Sequence, residues 1–214
     1  MDSCFIVPYR DREEHLKKFV SHYSKVVPEI PIYVIEQADD KPFNRAKLFN
    51  VGFDLLRGNY DNFIFHDVDQ IIDVKRTDPI TAYASTDNVV HLGTKLEQFG
   101  YKLPDKEFFG GITIFSRSAM EKINGWSNLI WGWGSEAEMV RDDLIKRGVP
   151  IEVRESYYFS LPHGRGYISI DQIRAGEAIR QKGKDNEIDG LTNLEYKVLS
   201  AKMENRYTLI KVEL

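Results

Sequence analysis

Through its first 70 residues the chain alternates short apolar runs with stretches of helical periodicity. Residues 4–8 read as a strand, after which Leu16, Phe19, Val20, Tyr23 and Val27 recur at helical spacing. Asp11 and Glu14 have capping-box spacing at the start of that helix, and Pro28 closes it. Residues 32–35 form a second apolar run, the polar segment 37–42 follows, and a helix is predicted over 44–56 with Gly58 as its stop. Residues 63–65 are the third strand. Strand, helix, strand, helix, strand in this order calls for right-handed crossovers and a mostly parallel sheet, with ligands beyond the carboxyl ends of its strands. Residues 9–12, residues 36–40, and Asp67 with Asp69 fall at such ends.

Between 73 and 103 the signals weaken to one strand at 89–92. Gly110 and Gly111 then open a strand that runs to Phe115, and Ser116 caps a short helix ending at Asn124 and Gly125. An aromatic, glycine-rich segment over 126–133 leads to a helix over 135–146, stopped by Gly148 and Pro150. A loop is predicted over 157–166 around His163, an amphipathic helix over 171–182, and two late strands over 194–199 and 207–214. With no repeat, low-complexity tract or linker, residues 1–214 are expected to form one domain.

The abrupt end of the third strand is where chemistry enters. If the chain stays extended past His66, Asp67 and Asp69 point to one side and can share a divalent cation. Composition narrows the field. A balance of 29 Lys+Arg against 33 Asp+Glu, net charge −4, argues against a nucleic-acid partner. The one cysteine, Cys4, allows no intrachain disulfide and argues against a thiolate zinc site. No apolar run approaches a transmembrane segment, and a cytoplasmic location is expected.

Residues 130–138, Ile-Trp-Gly-Trp-Gly-Ser-Glu-Ala-Glu, place flat aromatic faces beside exposed backbone and carboxylates, which suits stacking and hydrogen bonding to a sugar. The structural alternative is an aromatic loop entering a helix whose Ser135 and Glu138 have capping-box spacing. The order of motifs then carries a resemblance. Val7-Pro-Tyr-Arg-Asp-Arg-Glu-Glu-His-Leu16, Tyr33-Val-Ile-Glu-Gln37, Phe43-Asn-Arg-Ala-Lys-Leu-Phe-Asn-Val-Gly52, Phe65-His-Asp-Val-Asp69, Phe109-Gly-Gly111, Ile123-Asn-Gly125 and Trp131-Gly-Trp-Gly134 resemble, in sequence and order, the β-1,4-galactosyltransferase family. The resemblance extends through Gly190-Leu-Thr-Asn-Leu-Glu-Tyr-Lys-Val-Leu199 to the C-terminal strands.

That resemblance implies an α/β GT-A (Rossmann-like) fold and inverting, manganese-dependent transfer of galactose or a related hexose from a UDP-sugar to a hydroxyl of a glycan acceptor. It assigns Pro8, Tyr9, Arg10, Arg12, Phe43 and Arg45 to the uridine and diphosphate, with arginine suited to bidentate phosphate contacts. Asp67, Val68, Phe108 and Trp133 fall on the donor, and Trp133, Gly134 and Glu136 on the acceptor. Asp69 and His163 are the implied Mn²⁺ ligands, an oxygen and nitrogen set that suits manganese better than magnesium. Ser160 stands where some animal members carry a methionine ligand.

The departure that matters most is at the base. Family members usually read Trp-Gly-Gly-Glu-Asp-Asp, and the first Asp, usually assigned as the base, is Ala137 here. Glu136 and Glu138 flank it as the candidate catalytic carboxylates, and a capping Glu138 would have a lowered pKa and be the poorer base. A catalytically impaired sugar- or nucleotide-binding homologue is therefore the alternative, and an acceptor unlike the family's N-acetylglucosamine or xylose a third reading. The acceptor would be an oligosaccharide or a lipid-linked saccharide, the latter making the protein peripheral to a membrane. Residues 162–176, rich in polar residues and glycine after His163, are expected to act as a lid over the donor.

Overall fold

The computed structural model describes residues 3–132, 134–164 and 169–214. In chain order the elements are β1 (Ser3–Tyr9), α1 (Glu13–Val26), β2 (Ile32–Gln37), α2 (Arg45–Leu56), β3 (Asn62–His66), β4 (Gln70–Ile72), α3 (Pro79–Ala82), β5 (Val89–His91) and β6 (Lys95–Leu96). There follow a 3₁₀ turn (Glu97–Phe99), β7 (Ile112–Ser116), α4 (Arg117–Lys122), α5 (Glu136–Lys146), β8 (Ile151–Val153), β9 (Tyr157–Ser160), α6 (Ile170–Lys182), β10 (Lys197–Met203) and β11 (Thr208–Glu213). Eight strands form one sheet in the order β10-β11-β2-β1-β3-β7-β5-β8, and β4, β9 and β6 form a second, small sheet.

The expected parallel core is present: β11, β2, β1 and β3 run parallel to one another. Beyond β3 the sheet turns mixed, because β7 lies antiparallel between β3 and β5 and only β5 and β8 pair in parallel there. This reversal has a functional result. Antiparallel register sets Ile112, the first residue of β7, opposite His66, the last of β3, so Gly110 and Gly111 lie beside Asp67, whose N–H donates to the Gly111 carbonyl.

Helices cover both faces of the sheet, as strands buried on both sides require. On one face α2, α4 and α5 enclose Phe49, Phe53, Phe63, Phe65, Phe115 and Trp126; on the other α1 packs Leu16, Phe19 and Tyr23 against Phe5, Val7 and Ile64. Each such side chain contributes about 1.5–3 kcal/mol by leaving water. The apolar positions predicted for α1 are its buried stripe.

Local details correct several expectations. The Asp11–Glu14 capping box does not form: the N-cap of α1 is Arg12 without a side-chain cap, and Asp11 adopts φ 52°. Ser116, in contrast, caps α4 by accepting from the Ala119 N–H. The loop predicted over 157–166 begins as β9, a strand whose partners β4 and β6 are too short to show a period. The strand predicted over 194–199 runs instead from Lys197 to Met203, all exposed at the sheet edge, where no buried face imposes a period. No helix among the described residues is long and apolar enough to cross a membrane.

The C-terminal segment is anchored by asparagines. Asn124 Nδ2 donates to the carbonyls of Asn186 and Asp189, and Asn128 Nδ2 donates to the Gly190 carbonyl and Asn193 Oδ1. Gly190 has φ 125°, and a Cβ there would overlap the Asn124 carbonyl oxygen, which is backbone and cannot yield cheaply. Gly190→Ala is therefore expected to cost roughly 3 kcal/mol, strain and overpacking together, read as a lowered denaturation midpoint at unchanged m-value.

Candidate functional site

Asp67, Val68 and Asp69 do not continue β3; they form the turn into β4, closed by the Gln70 N–H donating to the Asp67 carbonyl at 3.2 Å. Period-two alternation therefore does not explain their placement, yet both carboxylates line one cleft of about 1210 Å³ beyond the strand ends. Arg45, the first residue of α2, enters the same cleft. Asn44 caps that helix by accepting from the Lys47 N–H, and the Arg45 guanidinium stacks over Phe49 at 4.6 Å. Its Nε donates to Asp67 Oδ1 at 2.6 Å, and its Nη1 lies 3.6 Å from Glu136 Oε1. That Nη1 is buried with no hydrogen-bond partner among the described residues, so a cationic donor is left for an anionic ligand to satisfy.

Burial raises the Asp67 carboxyl to about 6 and the charge of Asp69 adds to this, while Arg45 opposes both. With the guanidinium in direct contact, Asp67 is ionised at neutral pH.

Asp69 meets the segment that follows β9. Its carbonyl accepts from the Leu161 N–H at 2.7 Å, and its Oδ2 lies 2.7 Å from His163 Nε2. His163 Nδ1 lies 3.0 Å from the Gly164 carbonyl, which can only accept, so Nδ1 carries a proton and Nε2 is the nitrogen that faces Asp69. The hydrogen bond to Asp69 raises the His163 pKa and lowers that of Asp69 against its burial. Ser160, at the methionine position, is engaged elsewhere: its hydroxyl donates to Gln70 Oε1, and Gln70 Nε2 donates at 3.3 Å to Asp69 Oδ1. Among the described residues no group of three His, Cys, Asp or Glu is placed to hold a metal. A cation held by Asp69 and His163 would take its other ligands from water or substrate.

Most of the other expected residues also line the cleft: Pro8, Arg10, Arg12, Phe43, Val68, Phe108, Gly134, Glu136 and Glu138. Arg10 donates to the Lys41 carbonyl at 2.7 Å and lies over the Phe43 ring, and Arg12 donates to the Gly164 carbonyl at 3.2 Å. Tyr9 is placed apart from these. Its side chain packs with Val7 and Leu16 in the core under α1, since alternation along β1 sends it to the face opposite Pro8. Trp133 lies outside the described residues, as do residues 165–168 of the expected lid.

The two glutamates differ in a way the sequence did not suggest. Ser135 begins α5 with φ 71° and no side-chain cap, so the expected Ser135–Glu138 capping box is absent. Instead of being lowered, the pKa of Glu138 is raised, chiefly by burial, with the charges of Glu136 and Asp105 adding to it. Glu136 faces Arg45, and Ala137 between them is buried in the core yet borders the cleft.

Sequence reasoning missed the far wall. Arg180 of α6 donates to Glu107 Oε2 at 2.7 Å and to Asp142 Oδ2 of α5 at 2.8 Å, tying α6 and α5 to the loop before β7. Gly176 sits so close to the Gly134 carbonyl that a Cβ would stand 3.0 Å from it. These contacts join segments far apart in sequence, and only the helical period of α6 hinted at them.

Comparisons with known proteins agree with this geometry. The model for the N-terminal region of glycosyl transferase group 7 matches residues 1–78, and that for the N-terminal domain of galactosyltransferase matches residues 90–164. β-1,4-Galactosyltransferase 5 of Danio rerio is 37% identical over 99% of this chain; the chain spans 56% of that relative's length. Among solved structures, the catalytic domain of Drosophila β-1,4-galactosyltransferase 7 with xylobiose superposes with a TM-score of 0.81 at 27% identity, covering 99% of this chain and 93% of that one. A mutant of that Drosophila enzyme in complex with manganese, UDP-Gal and xylobiose matches with a TM-score of 0.80 at 26% identity, with the same coverage. Two family regions matched in order, a relative aligned over nearly the whole chain, and a shared GT-A fold lead to one conclusion: this chain belongs to the β-1,4-galactosyltransferase family.

Proposed function

We propose that residues 1–214 form the catalytic domain of an inverting galactosyltransferase, which moves galactose or a related hexose from a UDP-sugar to a hydroxyl of a glycan acceptor with Mn²⁺. The observation that carries this reading is the convergence of Arg45, the Asp67–Asp69 turn and His163, from three separate segments, on one cleft. At about 1210 Å³ that cleft exceeds the roughly 300–1,000 Å³ of single-ligand pockets and suits two substrates. The Drosophila relative's complex with manganese, UDP-Gal and xylobiose supports the same substrate classes.

Asp69 and His163 Nε2 would hold the manganese ion, which when bound supplies positive charge against the departing diphosphate. Arg10 and Arg12 flank the entrance for uridine and phosphate, and the unpartnered Arg45 Nη1 offers a further donor to donor-sugar or phosphate oxygens. Asp67, fixed by Arg45, accepts from a sugar hydroxyl. Glu136, paired with Arg45, and Gly134 border the acceptor side. Glu138, free of a cap and raised in pKa, takes the proton from the acceptor hydroxyl. The acceptor oxygen then bonds to the sugar's C1 with inversion, and the C1–O bond to UDP breaks with its electron pair leaving on the diphosphate. The single cysteine, buried in β1, supports a reducing, cytoplasmic setting in which the acceptor is an oligosaccharide or a lipid-linked saccharide.

Incubation with Mn²⁺, several UDP-sugars and an acceptor panel tests the proposal. Transfer from UDP-galactose that stops in chelator is expected; no turnover with any pair overturns it. Ala137 favours a second reading, a binding protein that has lost turnover. It wins if wild type binds UDP with Mn²⁺ but transfers nothing while Ala137→Asp gains activity.

Donor choice is a separate expectation. Phe108 lines the cleft with its ring against Phe99 at 5.4 Å and close to Gly110, a bulky and hydroxyl-free wall. UDP-galactose is expected to be preferred over UDP-N-acetylgalactosamine, and Phe108→Leu to improve use of the acetylated donor by roughly tenfold, the scale of a pocket changed by a few carbons. Competition between the two donors in one assay reads this ratio; a wild type that already prefers the acetylated donor is the contrary result.

A further inference from the structure

His66, the residue immediately before the Asp67–Val68–Asp69 turn, is fully buried and does not itself line the cleft, yet it is bonded on both ring nitrogens. Its Nδ1 lies 2.9 Å from the Asp67 carbonyl. A carbonyl can only accept, so Nδ1 carries the proton and Nε2 accepts. Facing Nε2 are two hydroxyls, Tyr23 of α1 at 2.9 Å and Tyr83, just after α3, at 3.1 Å. The same Tyr23 hydroxyl accepts from the Ile72 N–H at 3.0 Å and lies 3.3 Å from the Gln70 carbonyl. Tyr83 lies 3.2 Å from Tyr23, closing the network. Phe5 and Phe19 pack edge-on against the imidazole and Tyr158 stands beside it, so these hydrogen bonds lie among aromatic rings of the core. Burial holds the imidazole neutral, its pKa lowered to about 3.

One buried network therefore grips the metal-side turn at both ends: before it through the Asp67 carbonyl, after it through Gln70 and Ile72. From this geometry, and resting on the functional reading above, we propose that His66 is a positioning residue that sets the angle at which the turn presents Asp67 and Asp69 to donor and cation. Phenylalanine would fill the space without holding the turn. The role needs the donor toward the Asp67 carbonyl, because Tyr23 holds the Gln70 and Ile72 side of the turn directly. Groups that orient a metal ligand from behind typically change metal affinity 10–100-fold when lost.

The test compares His66→Asn, His66→Gln and His66→Phe in the full chain. An asparagine amide sits near the Nδ1 position and keeps the bond to the Asp67 carbonyl; a glutamine amide reaches the Nε2 position and does not. In the metal-free proteins, hydrogen exchange at the amides of residues 67–72 is expected to remain near wild type in His66→Asn and to rise by roughly tenfold in the other two. In calorimetry with Mn²⁺, UDP affinity is expected to fall about 10–100-fold in His66→Gln and His66→Phe, to stay near wild type in His66→Asn, and to be unchanged in chelator for all three. If His66→Phe does not fold, the asparagine and glutamine variants decide. Equal exchange and equal Mn²⁺-dependent affinity across the variants, or equal losses in asparagine and glutamine, overturns the proposal. Wild-type UDP affinity that ignores Mn²⁺ refutes the metal reading instead, and the metal-free exchange rates alone then judge whether His66 holds the turn.

Discussion

Glu138→Gln is expected to lower kcat by about 10²-fold or more, the usual contribution of a general base, while UDP binding persists. The amide keeps the size and hydrogen bonding of the side chain but cannot accept the acceptor's proton. Because burial raises the Glu138 pKa, wild-type turnover should fall with decreasing pH at a point above the ordinary glutamate value of about 4.3. The sign follows from the role: the base works only when ionised, and a raised pKa moves its loss to higher pH. The acid limb should vanish from the residual activity of Glu138→Gln. Glu136→Gln should reduce kcat less and raise the acceptor KM, because that carboxylate is paired with Arg45. Rate profiles against pH for both variants check this. An acid limb that survives in Glu138→Gln and disappears in Glu136→Gln would reverse the two roles, and full turnover in both would place the base outside this motif.

The other large effect is expected at the cation. Asp69→Asn should abolish the strengthening of UDP binding by Mn²⁺, a loss of about 100-fold, the upper end of what even indirect supports of a metal ligand contribute. His163→Ala should weaken it less, since a neutral imidazole contributes no charge to offset that of the cation. UDP affinity in chelator should stay near wild type in both, which separates loss of metal from loss of the nucleotide site. Calorimetric titration with UDP in Mn²⁺ and in chelator measures both quantities. Equal affinity under the two conditions in wild type would remove manganese from the site.

The distribution of apolar residues determined by itself the first half of the fold, α1 with its buried stripe, and the presence of ligand residues at the strand ends. That part was legible because a buried strand or helix face imposes a period on the residues next to it, and period is a local property. The ordered motifs marked Arg45, Asp67, Asp69 and His163, because each is a residue type whose chemistry has few substitutes. The choice between Glu136 and Glu138 was not legible. Their spacing suggested a cap that would lower the pKa of Glu138, but Ser135 makes no cap, and burial together with the charges of Glu136 and Asp105 raises it.

Tertiary structure alone decided what depends on distant segments. The antiparallel register of β7 puts Gly111 beside Asp67, the approach of β9 to β4 brings His163 to Asp69, and alternation in β1 turns Tyr9 away from the cleft. The exposed β10 and the short β4, β6 and β9 were missed or shifted because they bury too little to pattern their own sequence. A pKa, an ion pair and a strand register are set by neighbours in space, and those neighbours are chosen when the whole chain packs.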